Sequence, residues 1–333
     1  MPIPLLLQPQ SLLGIYEKFA DETASKLLQW FPDRDAVERA QNVQYDTIQY
    51  SSDAAKINTD GGAPNSVRRT VRGTVMGGAI TMHEEVIVPS EVICSLRDLG
   101  SNKPGPASAW IAREMKNLRL RIGKRKAVLA AQCLGIASGN LSFTLPGLAA
   151  ATTVSLNYTG AHQAIGSAWD TAATDILADI QAAKLLVATD GGKQATEMVL
   201  NSHTGIRLMA NDGIMDLLND VAKGEVLQTG QFTKLAGLNV HYVDEFVVDD
   251  VTLVATALIP NHHVAIFAGD SADRGFINMH PNTVLAQDSH RGPFFNVIEG
   301  KRINDPITIE YKYNVFPYLP NPDEIVYDTT VVA

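Results

Sequence analysis

The most regular hydrophobic pattern in the chain lies near its middle, between Ser167 and Gly192. Apolar residues recur there at intervals of three and four, which is the spacing of one face of an α-helix. They are Trp169, Ala172, Ala173, Ile176, Ile180 and Ala183. Ser167 can cap the start of the helix, and Gly191 and Gly192 provide a stop. The pattern therefore predicts an amphipathic helix over Ser167–Gly192.

Further elements follow this helix along the chain. Thr196–Ser202 is a short apolar run that predicts a buried strand, and Thr204–Asp220 again has helical spacing. Val264–Ala268 is another apolar run bounded by turn residues, so it also predicts a buried strand. A helix laid against such strands indicates a domain that mixes α and β structure.

Between Gln41 and Pro89 the pattern changes from helical spacing to alternation of polar and apolar residues. Two alternating stretches flank a turn-rich segment that contains Asp60-Gly61-Gly62, which predicts an elongated β-hairpin. A hairpin alone is marginally stable, so we expect it to lean on its own domain or on a neighbouring subunit. Arg68, Arg69 and Arg72 lie near its tip. We predict that they contact carboxylates of a partner protein, with phosphate as the alternative.

The longest helical pattern covers Pro106–Ser138 and is strongly basic in its middle. Between residues 113 and 126 the helix has one carboxylate, Glu114, and seven basic residues. The basic residues are Arg113, Lys116, Arg119, Arg121, Lys124, Arg125 and Lys126. Because a helix rises about 1.5 Å per residue, this one is predicted to be a strut longer than a small domain is wide. The segment Glu17–Glu38 carries six carboxylates. It is a natural electrostatic partner of the strut, within or between subunits; the alternative is an ordinary solvated helix face.

The chain begins with a stretch punctuated by proline, Met1–Gly14. Pro2, Pro4 and Pro9 disfavour helix, so the stretch predicts an extended arm. Ser11–Phe31 has apolar residues at helical spacing and predicts a short helix. The arm has no basic start, so it is a poor signal peptide, and no apolar run in the chain is long enough to span a membrane.

Composition narrows the classes of function. The net charge of −9 argues against a general nucleic-acid binder. Cys94 and Cys133 form no CxxC motif, which argues against a disulfide framework or a structural zinc site. Charged residues make up 19% of the chain, below the usual quarter. This shortage indicates that additional surface is buried against partners.

Candidate catalytic chemistry is sparse. The chain has no GxSxG, HExxH, GxGxxG or Walker motif. His241, Asp244 and one of His262 and His263 could surround a metal if their strands pair. Neighbouring residues of a strand point to opposite faces, so only one of these two histidines could join such a site. A metal-dependent hydrolase is therefore the alternative to a structural protein that uses no cofactor.

Several stretches resemble the lambda-type major capsid proteins of tailed bacteriophages, which have the Hong Kong 97 fold. The first is SAWDTAATDILADIQAA at 167–183, and the second is the strand-then-helix sequence at 191–218. The third is the end of the chain, 305–332, with its Leu-Pro-Asn-Pro-Asp phrase at 319–323. The run at 240–250 followed by 257–269 matches the family's order of strand, turn, Ile-Pro-Asn and buried strand.

The resemblance implies an α+β fold of this type, divided into five segments. They are an N-terminal arm (1–40), an extended loop formed by the hairpin (41–88), a peripheral domain with the long helix at about 106–138 (89–160), an axial domain (161–305), and C-terminal strands that close the peripheral and axial sheets (306–333). Candidate contacts between subunits are Pro2, Pro4, Pro9, Arg68, Arg69, Arg72, Arg119, Lys124 and Arg125.

The resemblance also implies a function, a location and a set of partners. The chain would be a major capsid protein that assembles in the host cytoplasm into hexamers and pentamers of an icosahedral virion shell. It would act with a separate scaffold protein and a portal, and a decoration protein is a further candidate partner. Packaged double-stranded DNA would be contacted only weakly and without sequence specificity. A viral tail component is a third interpretation, which the long helix disfavours.

Overall fold

The protein is described by a computed structural model in which the following residues are placed. They are 7–19, 24–38, 42–49, 70–92, 105–143, 151–166, 168–171, 174–211, 213–214, 229–248, 254–270, 274–279, 293–298 and 306–331. The longer helices are α1 (Pro9–Glu17), α2 (Gly105–Cys133), α3 (Ile176–Asp190) and α4 (Ser202–Met209). Short 3-10 helices cover Lys26–Trp30, Gly160–Gln163 and Pro322–Glu324.

The strands are numbered in chain order. They are β1 (Asp33–Glu38), β2 (Asn42–Gln49), β3 (Thr70–Gly78), β4 (Ile80–Val88), β5 (Asn140–Phe143), β6 (Thr152–Ser155), β7 (Glu197–Leu200), β8 (Lys234–Leu235), β9 (Leu238–Tyr242), β10 (Phe246–Val248), β11 (Ala255–Ala257), β12 (Val264–Phe267), β13 (Gly275–Met279), β14 (Phe294–Ile298), β15 (Ile307–Tyr318) and β16 (Ile325–Asp328).

The larger sheet is organised around β15, a strand of 12 residues. β4 pairs antiparallel with it from Ile307↔Val88 to Val315↔Ile80. β14 and β13 also pair antiparallel with β15, and β1 joins β13 in parallel. Helices α1 and α2 both contact this sheet. The ring of Tyr16 in α1 packs against Phe295 and Tyr311, with centroid distances of 5.8 and 5.9 Å.

The smaller sheet has the strand order β16-β12-β7-β9-β8. β7 and β9 run parallel, and the other neighbouring strands are antiparallel. All four residues of β12 are buried, which confirms the buried strand predicted at Val264–Ala268, and Glu197–Leu200 confirms the one predicted at Thr196–Ser202. Helix α3 contacts β12 and β16 and buries Ile176, Ile180, Ala183 and Val187.

Strands β2 and β3 form the predicted hairpin, with antiparallel pairing from Asn42↔Gly78 to Gln49↔Thr70. The chain then passes through Ala79 into β4, so one strand-like stretch of sequence forms two strands in two different sheets. The hairpin leans on its own chain, because Tyr45 is buried against Phe316 and Tyr318 with ring centroids 6.4 and 4.8 Å away.

The long helix was predicted correctly, although it ends at Cys133 and not at Ser138. Gly135 follows the helix with a φ of 90°, in the left-handed region that favours glycine. A Cβ atom at this position would also overlap the ring of Tyr327. Both the backbone conformation and the space beside Tyr327 therefore require glycine at position 135, just after the helix ends.

The central helix begins later than its apolar pattern predicts. It starts at Ile176, because the Asp175 side chain accepts a hydrogen bond from the Ala178 amide, at 3.0 Å, and caps it there. Trp169 precedes the helix and is buried. Its indole nitrogen donates to Asp179 Oδ2 at 3.1 Å. Ser167, which we expected to be the cap, lies outside the described residues, as do Ala172 and Ala173.

Two other helix predictions were wrong in their limits. Helix α1 begins at Pro9, because proline fits the first turn of a helix, where its missing amide hydrogen is not needed. The helix predicted over Ser11–Phe31 is replaced by α1, which ends at Glu17, and by the separate 3-10 helix Lys26–Trp30. The helix predicted over Thr204–Asp220 begins at Ser202, and α4 ends at Met209; residues 212 and 215–220 of that prediction lie outside the described residues.

The buried side chains form two hydrophobic clusters. One joins α1, α2, the hairpin and the larger sheet, and the other lies between α3, α4 and the smaller sheet. β13 and β14 fall within the predicted axial segment, 161–305, yet they pair with β15 in the larger sheet. The five segment boundaries stay predictions. Within the described ranges, no helix is both long and apolar enough to cross a lipid bilayer.

Candidate interaction surfaces

Of the three hairpin arginines, Arg72 lies within the described residues. It forms an ion pair with a residue of its own chain. Its Nη1 atom lies 2.5 Å from Asp323 Oδ1, and the Asp323 side chain is fully buried. The hydroxyl of Thr159 donates to the same oxygen at 2.9 Å. Arg72 therefore has a carboxylate partner within its own chain, and its contact with a partner protein stays a prediction. Arg68 and Arg69 lie outside the described residues.

The Arg72–Asp323 pair belongs to a wider polar junction. His162 is buried, with its Nε2 atom 3.2 Å from Asp190 Oδ2 and 3.8 Å from Asp323 Oδ1. Lys193 lies 3.0 Å from the buried Glu324. These contacts join the hairpin, the end of α3 and the segment that leads into β16. Sequence reasoning missed this junction, although its carboxylates belong to the Leu-Pro-Asn-Pro-Asp-Glu phrase at 319–324.

The outer face of the hairpin exposes apolar side chains. Val71 is 51% exposed and Met76 is 63% exposed, both on β3. Val43, Tyr45 and Val75 on the inner face are buried against the body of the subunit. Between Val71 and Met76 on the outer face, the Thr74 hydroxyl donates to Asp46 at 2.8 Å, so the outer face carries both apolar and polar groups, as contacts between protein subunits do. The outer face is therefore a candidate surface for a second subunit.

Two more surfaces expose apolar side chains. On the larger sheet, Ile87 of β4 and Ile298 of β14 both pair with Thr308 of β15, so the three lie in one row. Both isoleucines are exposed. On the ribbon formed by β10 and β11, Phe246 and Val248 are 60% and 54% exposed. Phe246 also borders a cavity of about 510 Å³ that His203 and His262 help to line.

The basic residues of α2 divide into two groups. Lys126 is buried and lies 2.5 Å from Asp33, and Arg119 stacks over the ring of Tyr16 in α1 at 4.9 Å. Burial lowers the pKa of Lys126 from its usual value, and the charge of Asp33 opposes that shift. Lys124 and Arg125 are exposed on the other side of the helix. Among the described residues, the contact between the acidic N-terminal segment and the basic helix thus occurs within the chain and joins Asp33 to Lys126, while Arg119 contacts Tyr16 of α1.

The four residues that we considered for a metal site do not form one cluster, because only Asp244 and His262 line a common cavity. His241 Nε2 lies 2.5 Å from Glu197 Oε2, and its ring packs on Trp30 at 4.8 Å. Asp244 accepts a hydrogen bond from the Ser202 amide at 2.8 Å and a second from the Ser202 hydroxyl, at the start of α4.

His263 is buried, and its Nε2 atom lies 3.1 Å from the Leu134 carbonyl oxygen. His262 and His203 lie edge to face, 5.8 Å apart. The placed residues contain no group of three or more histidine, cysteine, aspartate or glutamate side chains able to hold a metal ion. Asp244 and His262 line the same cavity together with His203, whereas His241 and His263 form hydrogen bonds elsewhere. The metal-site alternative therefore has no support among the described residues.

Of the remaining predicted contact residues, Pro9 opens α1, and Pro2 and Pro4 lie outside the described residues. The sequence signal that could have located the exposed surfaces is apolar residues at outward-facing strand positions. Val71 and Met76 are such residues on β3. Their orientation follows from the pairing register, which was not known from the sequence.

Comparison with known proteins shows the fold. A phage-related protein from Bordetella bronchiseptica RB50 superposes with a TM-score of 0.59 at 11% identity, over 98% of this chain and 97% of that one. A prophage protein of Escherichia coli CFT073, assigned as a capsid protein, superposes with a TM-score of 0.61 at 13% identity, over 97% and 99%. No family model and no curated sequence matches the chain. The chain has the α+β, Hong Kong 97-type fold that the resemblance implied.

Proposed function

We propose that this chain is a shell-forming subunit, the major capsid protein of a tailed bacteriophage. The observation that carries the proposal is the shared fold over nearly the whole length of both chains, one of which is assigned as a prophage capsid protein. Fold alone does not determine function, so the exposed surfaces supply the second part of the argument.

A closed shell requires each subunit to contact neighbours on several sides. The chain exposes apolar side chains on the outer face of the hairpin, on the larger sheet and on the β10–β11 ribbon. A monomeric enzyme has no need of three such surfaces, whereas a capsid subunit buries each against a neighbour. The role we propose is structural and not catalytic, because the described residues contain no group of three or more side chains able to hold the metal ion that the hydrolase alternative requires.

The finer parts of this proposal follow from the sequence resemblance. Sequence motifs in the C-terminal half that resemble lambda-type capsid proteins favour the lambda-type family of major capsid proteins. The subunits would form hexamers and pentamers in the host cytoplasm with a scaffold protein and a portal, and they would remain in the virion. The candidate contacts between subunits stay proposals, and they are Pro2, Pro4, Pro9, Arg68, Arg69, Arg72, Arg119, Lys124 and Arg125.

Substitutions on the outer face of the hairpin test this function. We expect the double variant Val71→Glu/Met76→Glu to remain folded but to sediment as unassembled subunits, because two carboxylates would have to be buried at a contact. The matched control is Gln181→Glu/Ala182→Glu, which adds the same charge at exposed positions of α3. Sedimentation velocity and circular dichroism are the measurements.

The control variant should assemble as the parent protein does. If Val71→Glu/Met76→Glu also forms normal assemblies, the hairpin face is not a contact between subunits. If the glutamate variant loses its circular dichroism, Val71→Ser/Met76→Ser replaces it, because serine removes the apolar groups without adding charge.

A further inference from the structure

The connector, which we define as Pro320–Glu324 between β15 and β16, is bound by both strands of the hairpin. The amide of Ile48 in β2 donates a hydrogen bond to the Pro320 carbonyl oxygen at 2.8 Å. Arg72 in β3 forms its ion pair with Asp323, whose side chain is fully buried. The hairpin therefore holds the connector near both of its ends.

The same connector also contacts the end of α3. The side-chain amide of Asn321 donates to the Gly191 carbonyl oxygen at 3.1 Å, and Lys193 lies 3.0 Å from Glu324. The two backbones approach closely, because a Cβ atom at position 191 would lie 2.6 Å from the Asp323 carbonyl oxygen. The connector therefore cannot shift far without disturbing the residues at which α3 ends.

His162 links the hairpin contact to the α3 contact. Its side chain is fully buried, and its Nδ1 atom lies 3.1 Å from the Ile325 carbonyl oxygen, which fixes the position of the ring. Its Nε2 atom faces two carboxylates, Asp190 at 3.2 Å and Asp323 at 3.8 Å. Asp190 is the last residue of α3. The Asp323 carboxylate is thus shared between Arg72 of the hairpin and a histidine that also faces α3.

Withdrawal of Arg72 from Asp323 would change the contacts at the end of α3. A buried carboxylate that loses its cation is strongly destabilised. The Oδ2 atom of Asp323 is itself buried, and it has no hydrogen-bond partner among the placed residues. The carboxylate would then either draw His162 away from Asp190 or leave its buried position together with the connector. Both responses alter contacts that hold the end of α3.

We propose that the connector is a conformational relay, in which displacement of the hairpin from the body of the subunit loosens the end of α3. The inference rests on the proposed function, because the exposed Val71 and Met76 lie on the same strand as Arg72 and form the proposed contact with a second subunit. Binding of a neighbour to the hairpin would then be transmitted to the smaller sheet, against which α3 packs.

Hydrogen exchange of unassembled subunits tests the relay without depending on shell formation. The measured quantity is the ratio of amide exchange rates between the last turn of α3, 187–190, and its middle, 181–184. Global destabilisation raises both rates alike and leaves this ratio unchanged. We expect Arg72→Met to raise the ratio at least about fivefold, because the last turn opens locally at a lower free energy.

Two further variants complete the exchange experiment. The matched control is Arg121→Met, which removes an exposed arginine that lies 3.2 Å from Glu84, and it should leave the ratio within about twofold of the parent value. If Arg72→Met does not fold, Arg72→Lys replaces it, because lysine keeps the charge but lacks the planar guanidinium group.

A double-mutant cycle measures the coupling between the hairpin and α3. Arg72 and Asp190 are both placed, and they form no ion pair or hydrogen bond with each other. Independent residues multiply their effects on the unfolding equilibrium constant to within about twofold. We expect Arg72→Met/Asp190→Asn to depart from the product of the single effects at least about fivefold in urea unfolding. The control Arg72→Met/Asp270→Asn, which removes an exposed carboxylate, should match its product.

Three results would overturn the relay. The exchange ratio stays unchanged in Arg72→Met, or the effects of Arg72→Met and Asp190→Asn simply multiply, or the Asp270→Asn control departs from its product equally, which would make the coupling one of net charge. Negative-stain images of the parent protein judge the proposed function separately. Missing shells would contradict that function and leave the measured coupling in place.

Discussion

His263 shows at the scale of one residue how burial determines charge. It lies between the smaller sheet and the end of α2, where its Nε2 atom donates to the Leu134 carbonyl oxygen at 3.1 Å. Its Nδ1 atom is buried, and no hydrogen-bond partner for it occurs among the described residues. Burial lowers the pKa of His263 to about 4, against smaller opposing effects of the Leu134 hydrogen bond and the charge of Asp328.

This lowered pKa predicts a loss of stability in acid. Between pH 6.5 and 4 the unfolded chain binds a proton at His263 and the folded chain does not, so the free energy of unfolding falls as the pH falls. The difference between this pKa and the usual value of 6.5 corresponds to a loss of about 3 kcal/mol in the free energy of unfolding once the pH is below 4. The variant His263→Gln keeps a donor for Leu134 and removes the titration.

Urea unfolding at a series of pH values checks this expectation. The urea midpoint of the parent protein should fall more steeply than that of His263→Gln between pH 6.5 and 4. Carboxylates that titrate in the same range affect both proteins alike, so the difference between the two curves isolates the histidine. Parallel curves would show that His263 is not the buried neutral group that we describe.

Residues that act through tertiary contacts were beyond the reach of the sequence. Asp323 was recognised as part of a phrase typical of capsid proteins, but its burial against Arg72 depends on residues 251 positions apart in the chain. Pro9 was read as a helix breaker, although it starts a helix. His241 and Asp244 are close in sequence, yet His241 hydrogen-bonds to Glu197 and Asp244 hydrogen-bonds to Ser202.

At the scale of elements, the contact between the hairpin and the body of the subunit includes the ion pair between Arg72 and Asp323. Replacing Arg72 with methionine would leave the buried Asp323 carboxylate without its cation, so we expect a loss of about 3–5 kcal/mol in the free energy of unfolding. The double variant Arg72→Met/Asp323→Asn removes both charges and should recover part of that loss. Thermal unfolding of the two variants and the parent protein is the measurement.

If Arg72→Met unfolds at the same temperature as the parent protein, the ion pair does not hold the hairpin to the body. If the double variant is no more stable than Arg72→Met, the loss comes from packing of the arginine side chain and not from an unpaired carboxylate. Equal circular dichroism at low temperature confirms that the variants fold before they are compared.

Most of the correct predictions of helices and strands came from the spacing of apolar residues along the chain. The period of 3.6 residues located α2 and the apolar face of α3, and the period of two located the hairpin. The sequence did not show where elements end. We predicted β3 and β4 as one strand-like stretch, although the turn dipeptide Gly77-Gly78 ends β3 just before Ala79. The start of α3 is determined by the Asp175 cap and not by the apolar pattern that begins earlier.

At the scale of the whole molecule, the described residues form two hydrophobic clusters and expose apolar side chains on the hairpin, the larger sheet and the β10–β11 ribbon, among other places. The order of elements in the sequence resembles that of a capsid protein, and the fold agrees with it. Which surfaces meet a neighbour could not be predicted, because strand register decides which residues of β3, β4 and β10 face outward. The basic side of α2 could be predicted as a pattern, but not that Arg119 and Lys126 turn inward.

The measurement that tests the central claim most directly is negative-stain electron microscopy combined with sedimentation. The protein is expressed alone and together with a scaffold protein encoded beside it. Our account predicts closed shells, or five- and six-fold rings, in at least one of these preparations. Small monodisperse particles under both conditions would contradict the proposal that this chain forms a capsid.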